Sequence, residues 1–336
     1  MKKKSILLCL FLAILIFTPL EILASEKNKS IGIAVEFMDH AASVYVGRDK
    51  GWFEEEGLEF TSYESYVTGM ALASALARGD IQVAYMCLVP AINAYANAKV
   101  PIKIVAGTHK YGYGLVANTN KVKIIKDLER KDIRIGCVRE GGAVDVLYHK
   151  TIDKYDLDEE KVLNNIQRMN PPKQILAIQM GKLDAAFLPE QWATLAENFG
   201  FKMLLMSQDV WPEMQGSVIV VKEELMKTQP ETVKKIVMVS EKATDWINQN
   251  MLEAAEVVAS QLQKTEGSLY PKQILDTTGK IEMSSDVLFR SMKNLNYTSK
   301  VNPKIIQETI NYMAQLGYIK KSFDAADILD LRFLKK

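Results

Sequence analysis

The chain has 336 residues, 48% of them hydrophobic and 25% charged, with a formal net charge of +1. That length exceeds a single ordinary core, so two domains are expected. The near-zero charge excludes the basic surplus of a nucleic-acid binder.

The first residues have the layout of a secretory leader: Lys2-Lys3-Lys4, an apolar run over 6–19, then Leu23-Ala24-Ser25. Cleavage after Ala24 defines a signal peptide over 1–24 and places the mature chain outside the cytoplasm; a retained anchor is the alternative. The run is short for a spanning helix, which needs about 20 residues. Cys87 and Cys137 remain in the mature chain and are expected in different lobes, as free thiols.

Strand and helix patterns then alternate. Strands are expected over 31–35, 58–63, 81–85 and 102–106, with helices over 41–53, 69–78 and 89–98 between them. A crossing strand over 114–118 opens a second unit. Its strands fall over 133–138, within 162–169, and over 183–188 and 201–206. Its helices fall over 141–155, from Pro171, and over 191–199. A return crossing over 217–221 is followed by helices over 230–248, 252–262, 271–279, 285–294 and 303–316. This order gives an α/β fold with mainly parallel sheets covered on both faces. Lobe I takes 30–116 and 217–336, and lobe II takes 117–216.

Two segments repeat one another. ALASALARGDIQVAY (71–85) and KQILAIQMGKLDAAF (173–187) each read as a helix, a Gly stop and a short apolar strand. Two lobes of one architecture make a cleft, and ligands in such sheets lie beyond the carboxyl ends of the strands.

The candidate residues therefore come from loops. Glu140-Gly141-Gly142-Ala143 lies between a strand and a helix, where glycines let backbone approach an anion or polar acceptor; the alternative is a plain turn. Glu190 and Trp192 follow the second repeat strand, as acceptor and stacking plane, or as a helix-start acid and a core indole. Asp39, His40 and His109 end strands in the first lobe, near Met86 and Cys87; cleft hydrogen bonding is expected there rather than a metal site. His149, one turn after Asp145, reads as a local surface pair. Trp52, Trp211 and Trp246 read as packing residues. The chain lacks the nucleophile-elbow, phosphate-loop, zinc-protease and Cys-x-x-Cys signatures, so no catalytic residue and no cofactor is assigned.

The segment VGRDKGWFEEEGLEF (46–60) resembles one found in extracytoplasmic solute-binding proteins of the nitrate/sulfonate/taurine type, which include binders of thiamine pyrimidine precursors. ALARGD (75–80), DLERKDIRIG (127–136) and DAADILDLRF (324–333) are similar to further parts of that family. The resemblance covers nearly the whole mature chain. It implies a bilobed periplasmic-binding-protein fold (type II-like), with two βα lobes joined by two crossing strands and a helical C-terminal part. It also implies a monomer that captures a small molecule for an ABC permease and its ATPase. By position, the implied ligand loops are His40-Ala41-Ala42, Met86-Cys87-Leu88, Gly107-Thr108-His109, Gly141-Gly142-Ala143 and Pro189-Glu190. Departures are Gly141-Gly142 where a Gly-Ser or Gly-Thr is common, and Phe37-Met38-Asp39-His40 in the first loop. Four acids (Glu36, Asp39, Glu140, Glu190) with Phe37, Tyr111, Tyr113 and Trp192 favour a neutral or cationic nitrogen heterocycle over a sulfonate- or nitrate-type solute. A same-fold enzyme (a lyase or a pyrimidine-forming one) and a ligand-sensing module for a membrane receptor are the alternative functions.

Overall fold

The computed structural model describes residues 31–79, 81–269 and 283–335. The leader over 1–24 and the helix expected over 271–279 lie outside the described residues.

Eleven strands among the described residues form two sheets. They are β1 Ile31–Glu36, β2 Phe60–Tyr66, β3 Val83–Cys87, β4 Ile102–Tyr111, β5 Tyr113–Ala117, β6 Ile135–Cys137, β7 Ile166–Arg168, β8 Ala185–Pro189, β9 Lys202–Met206, β10 Gln215–Lys222 and β11 Leu295–Tyr297. The first sheet has the order β2-β1-β3-β10-β4-β11 and the second β7-β6-β8-β5-β9. In the first, β1 is parallel to β2 and β3, while β10 runs antiparallel between β3 and β4. In the second, β6 is parallel to β7 and β8, while β5 runs antiparallel between β8 and β9. The repeat strands β3 and β8 thus hold the same place in two copies of one layout.

The chain passes between sheets twice. β4 leads into β5 through Tyr111 and Gly112, whose φ angles are 68° and 89°. β9 returns to β10 over 207–214. Gly112 suits this bend because it lacks the Cβ that makes positive φ costly.

The strands bury both faces, as parallel sheets do. Along β1, Ile33 and Val35 enter one core and Ala34 the other. Along β3, Val83 and Tyr85 alternate in the same way with Ala84 and Met86. β8 repeats this, with Ala186 and Leu188 opposite Ala185 and Phe187. β2 ends the first sheet and carries Thr61, Ser62, Glu64 and Ser65, polar residues that discourage edge pairing.

The helices are α1 Ala42–Asp49, α2 Trp52–Glu55, α3 Gly69–Arg78, α4 Leu88–Ala96, α5 Ala143–Tyr155, α6 Glu159–Asn165, α7 Pro171–Gln179, α8 Glu190–Glu197, α9 Ser207–Val210, α10 Glu223–Thr228, α11 Pro230–Gln249, α12 Met251–Leu269, α13 Ser285–Met292 and α14 Pro303–Gln315. The helix expected over 41–53 is interrupted at Gly51, where φ is 71°. The repeat helix α3 stops at Gly79 with φ of 99°, and α7 is followed by Gly181 with φ of 63°, the left-handed turn that glycine ends helices with. α11 starts with Pro230 in its first turn and buries Val233, Ile236, Val237, Ser240, Ala243, Thr244 and Ile247, a spacing of three and four. Its Ser240 hydroxyl meets the Tyr85 hydroxyl at 2.6 Å and ties α11 to β3. Trp52 and Trp246 pack edge to face at 6.4 Å, and Trp211 packs on Tyr312 at 6.1 Å. Among the described residues no helix is long and apolar enough to cross a membrane.

Candidate functional site

A cavity of about 210 Å³ opens where the carboxyl ends of both sheets face one another. The first sheet contributes Glu36, Met38, Thr68, Gly69, Cys87 and Pro90. The second contributes Tyr113, Val138, Arg139, Gly142, Pro171 and Pro189. α4 and α8 start on it, after Cys87 and Pro189, and so do three further helices. α3 begins behind the Thr68 cap, whose hydroxyl accepts from Ala71 N at 3.3 Å. α5 begins after Gly142, and α7 begins with Pro171 behind the Asn170 cap. The first-turn N–H groups of α3 and α5 and the helix dipoles give this wall partial positive character, whereas α7 opens with Pro171-Pro172, which have no N–H. Val67, Met70, Val144 and the three prolines make the remaining wall apolar.

The floor is a buried acid. Glu36 ends β1 and is 1% exposed. One carboxylate oxygen accepts from Cys87 N at 2.8 Å, the other from the Cys87 thiol at 2.9 Å. The Tyr113 hydroxyl donates to Cys87 Sγ at 3.0 Å, and Ser217 reaches the same sulfur at 3.6 Å. Burial pushes the Glu36 carboxyl up to about 7, against the pull of the two bonds from Cys87. Burial and the adjacent Glu36 charge push the Cys87 thiol well above its ordinary value. Gly69 permits this floor: a Cβ there would lie 2.1 Å from Glu36 Oε1 and 2.6 Å from Pro90.

The residues singled out from sequence sort into three groups. Cys87 and Gly142 line the cavity. Glu140 lines an adjoining outer groove and stands 3.8 Å from Arg168. Gly141 turns beside them with φ of 74°, its N–H donating to Asp145 Oδ2 at 3.0 Å. The others lie beneath the cavity or in the cores. Phe37, Met86 and Trp192 are core side chains. Tyr111 sits at the β4–β5 bend, its N–H donating to Met214 O at 3.0 Å. Thr108 and His109 are buried on β4.

Asp39, His40 and Glu190 form a buried network behind the floor. Asp39 N–H donates to Gln191 Oε1 at 2.7 Å, the Ser291 hydroxyl donates to Asp39 Oδ2 at 2.5 Å, and the Tyr297 hydroxyl donates to Asp39 O at 3.0 Å. Asn294 donates to Glu190 Oε1 at 2.8 Å, and Glu190 N–H donates to Gly112 O at 2.9 Å. His40 Nε2 donates to the same Gly112 carbonyl at 2.9 Å, with the His109 ring 4.1 Å away. Burial raises the Asp39 and Glu190 carboxyls to about 7 and lowers the His109 imidazole to about 3. The C-terminal segments carrying Ser291, Asn294 and Tyr297 cover these loop residues, which a local reading of the loops cannot foresee.

Asp145 and His149 are not a surface pair. Asp145 is fully buried and is held by Arg168 and the Tyr318 hydroxyl, while His149 meets Glu159 at 3.1 Å and Tyr318 at 3.0 Å. The fold brings α5 against β7 and the C-terminal segment, and burial makes the stronger Arg168 partner necessary. Thr68-Gly69 was missed as a wall; a capping Thr and a Gly directly after the polar strand β2 were the available signal.

A putative binding protein of Brucella abortus is 26% identical over 264 residues, covering 76% of this chain and 78% of that protein. A putative aliphatic sulfonates-binding protein of Bacillus subtilis is 22% identical over 323 residues, covering 93% and 90%. The nitrate import ATP-binding protein NrtC of Synechocystis is 22% identical over 57% of this chain, which spans only 31% of that protein's length. Among solved structures, the alkanesulfonate-binding protein SsuA of Xanthomonas axonopodis, bound to MOPS, superimposes with a TM-score of 0.72 at 13% identity, covering 90% of this chain and 98% of that one. The periplasmic nitrate-binding protein NrtA of Synechocystis gives 0.72 at 14% identity, covering 90% and 86%. These likenesses establish the periplasmic-binding-protein fold. The model of the NMT1-like family matches residues 24–262, and the chain belongs to that family.

Proposed function

We propose that this protein captures a small organic solute between its two sheets and delivers it, without chemical change, to an ABC importer. The observation that carries this reading is the cavity itself: both sheets contribute their strand ends to one chamber, the arrangement in which closure of two lobes encloses a ligand. The two lobes follow the two sheets, one carrying β1 to β4 with β10 and β11 and the other β5 to β9, and move about the two passages between them. The names of the relatives support an extracytoplasmic binding role in import; the partners in this reading are a permease and its ATPase, and the protein acts as a monomer. The same names weigh against the alternative of a same-fold enzyme.

The side chains at the chamber bear on the solute class. Of the four acids that favoured a nitrogen heterocycle, only Glu36 lines the cavity. Phe37 and Trp192 are core residues rather than stacking platforms. One acid at the chamber in place of four leaves no carboxylate cluster to repel an anion there, and sulfonate-type solutes stand level with pyrimidines. The test is a thermal-shift screen with alkanesulfonates, nitrate and pyrimidines, with product analysis alongside. One class is expected to raise the melting midpoint and to be recovered unchanged. Turnover of any of them would overturn the reading.

A further inference from the structure

The chamber does not end at its mouth. An outer groove of about 370 Å³ adjoins it, lined by Thr68, Val138, Arg139, Glu140, Arg168, Met169 and Asn170. Thr68, Val138 and Arg139 line both spaces and form the neck between them. The two ends of this double space differ in chemistry. The inner end presents the buried Glu36 carboxylate, which offers only acceptor atoms when ionised. The neck presents an exposed guanidinium. No described residue gives the Arg139 side chain a hydrogen bond or ion pair. Arg168, the other groove arginine, is already committed to Asp145, with Glu140 3.8 Å away and its own bond to Val138 O at 2.9 Å. Among the described residues Arg139 is therefore the uncompensated positive charge at this opening, beside the starts of α3 and α5.

We infer that the solute is bipartite and occupies both spaces: a donor-bearing apolar body in the inner chamber against Glu36, and an anionic group in the outer groove against Arg139. This rests on the solute-capture reading and adds an orientation and two specificity residues to it. An arginine contacts an anion with paired N–H groups in a fixed fork, so it selects for carboxylate, sulfonate or phosphate oxygens. Each Glu36 oxygen already accepts one bond from Cys87 and keeps a second acceptor site, so beneath this apolar wall a body with an N–H or O–H to offer is favoured over one with none.

Titration calorimetry with four probes tests this: ε-aminocaproate, which has both ends; caproate, which lacks the donor; hexylamine, which lacks the anion; and β-alanine, which has both ends on a short body. ε-Aminocaproate is expected to bind about 10-fold or more tighter than each of the others. Arg139→Gln is expected to erase its advantage over hexylamine and Glu36→Gln its advantage over caproate, while Arg139→Lys restores part of the first. Equal binding of ε-aminocaproate and either single-ended probe, tighter binding of β-alanine, or indifference to both substitutions overturns the inference and leaves solute capture standing. If no probe binds, mass spectrometry of the solute retained from a cell extract decides: one with both ends supports the assignment, and one lacking either end overturns it. A wild-type protein that binds no probe and retains no solute overturns solute capture itself, and the inference with it.

Discussion

In the first sheet the order β2-β1-β3-β10-β4 brings Glu36 and Cys87 to the cavity; in the second, β7-β6-β8-β5-β9 brings Arg139 and Pro189. The strand directions match pair by pair, as do the repeat helices α3 and α7 and their glycine stops. The chemistry at equivalent ends does not. One half supplies a buried acid with a thiol, the other an exposed base above an ion pair. Architecture here is set by alternating apolar residues inside the sheets, and selectivity by the residue or two beyond each strand. The two properties can therefore change independently.

The comparison breaks most sharply at its ion pair. Arg168→Met in the second half leaves Asp145 buried with only the Gly141 N–H and the Tyr318 hydroxyl, and is expected to cost about 3 kcal/mol in urea unfolding. Among the described residues the buried acid of the first half, Glu36, has no such ion pair and is held by Cys87 alone. Next come the glycines at the two helix starts. Gly69→Ala forces a Cβ to 2.1 Å from Glu36 Oε1 and is expected to cost about 2 kcal/mol and to abolish solute binding. Gly142→Ala meets Arg139 O and Val138 at 3.1 Å and is expected to cost less than about 1 kcal/mol.

The acids predict a pH dependence. Glu36, Asp39 and Glu190 hold their protons up to about 7 when folded, against ordinary values of 4.5, 3.8 and 4.5. These three acids make the folded state bind more protons than the unfolded state between about pH 4 and 7, and they outnumber the buried His40 and His109, whose lowered values act in the opposite sense, so stability falls as pH rises through that window. Unfolding free energy is expected to be higher at pH 5 than at pH 8, and Glu190→Gln is expected to flatten the difference. A stability that rises across this window would contradict the buried, unpaired character of these groups. The smallest contrast lies in the thiols. Cys87→Ala removes a donor to Glu36 and the acceptor of Tyr113, while Cys137→Ala removes a packed thiol on β6; costs of about 2 and about 1 kcal/mol are expected. Both thiols are buried and free, so neither is expected to react with a disulfide reagent before unfolding.

Much of this comparison was readable from residues alone. The apolar strands 83–87 and 185–189 bury every position, and the helix over 69–78 runs between a capping Thr and a Gly, signals that depend on near neighbours. The cavity was less legible. Asp39, His40 and Glu190 follow strands, as ligand residues in this fold would, yet Ser291, Tyr297 and Asn294 come from about 250 and 100 residues away to cover them. No local pattern announces that covering. Arg139 stood in a recognised loop, but its lack of a partner depends on Arg168 taking Asp145, a choice fixed only when α5, β7 and the C-terminal segment meet.

The two passages between sheets also set an order of assembly. The second sheet is made of β5 to β9, one uninterrupted stretch of chain over 113–206. The first needs β10 inserted between β3 and β4, and β11 added at its edge, from the far end of the sequence. As the chain emerges during synthesis, the first sheet stays split at its centre while the second has all its strands, and contacts of long sequence separation form late. The half that is made first is the half that is finished last.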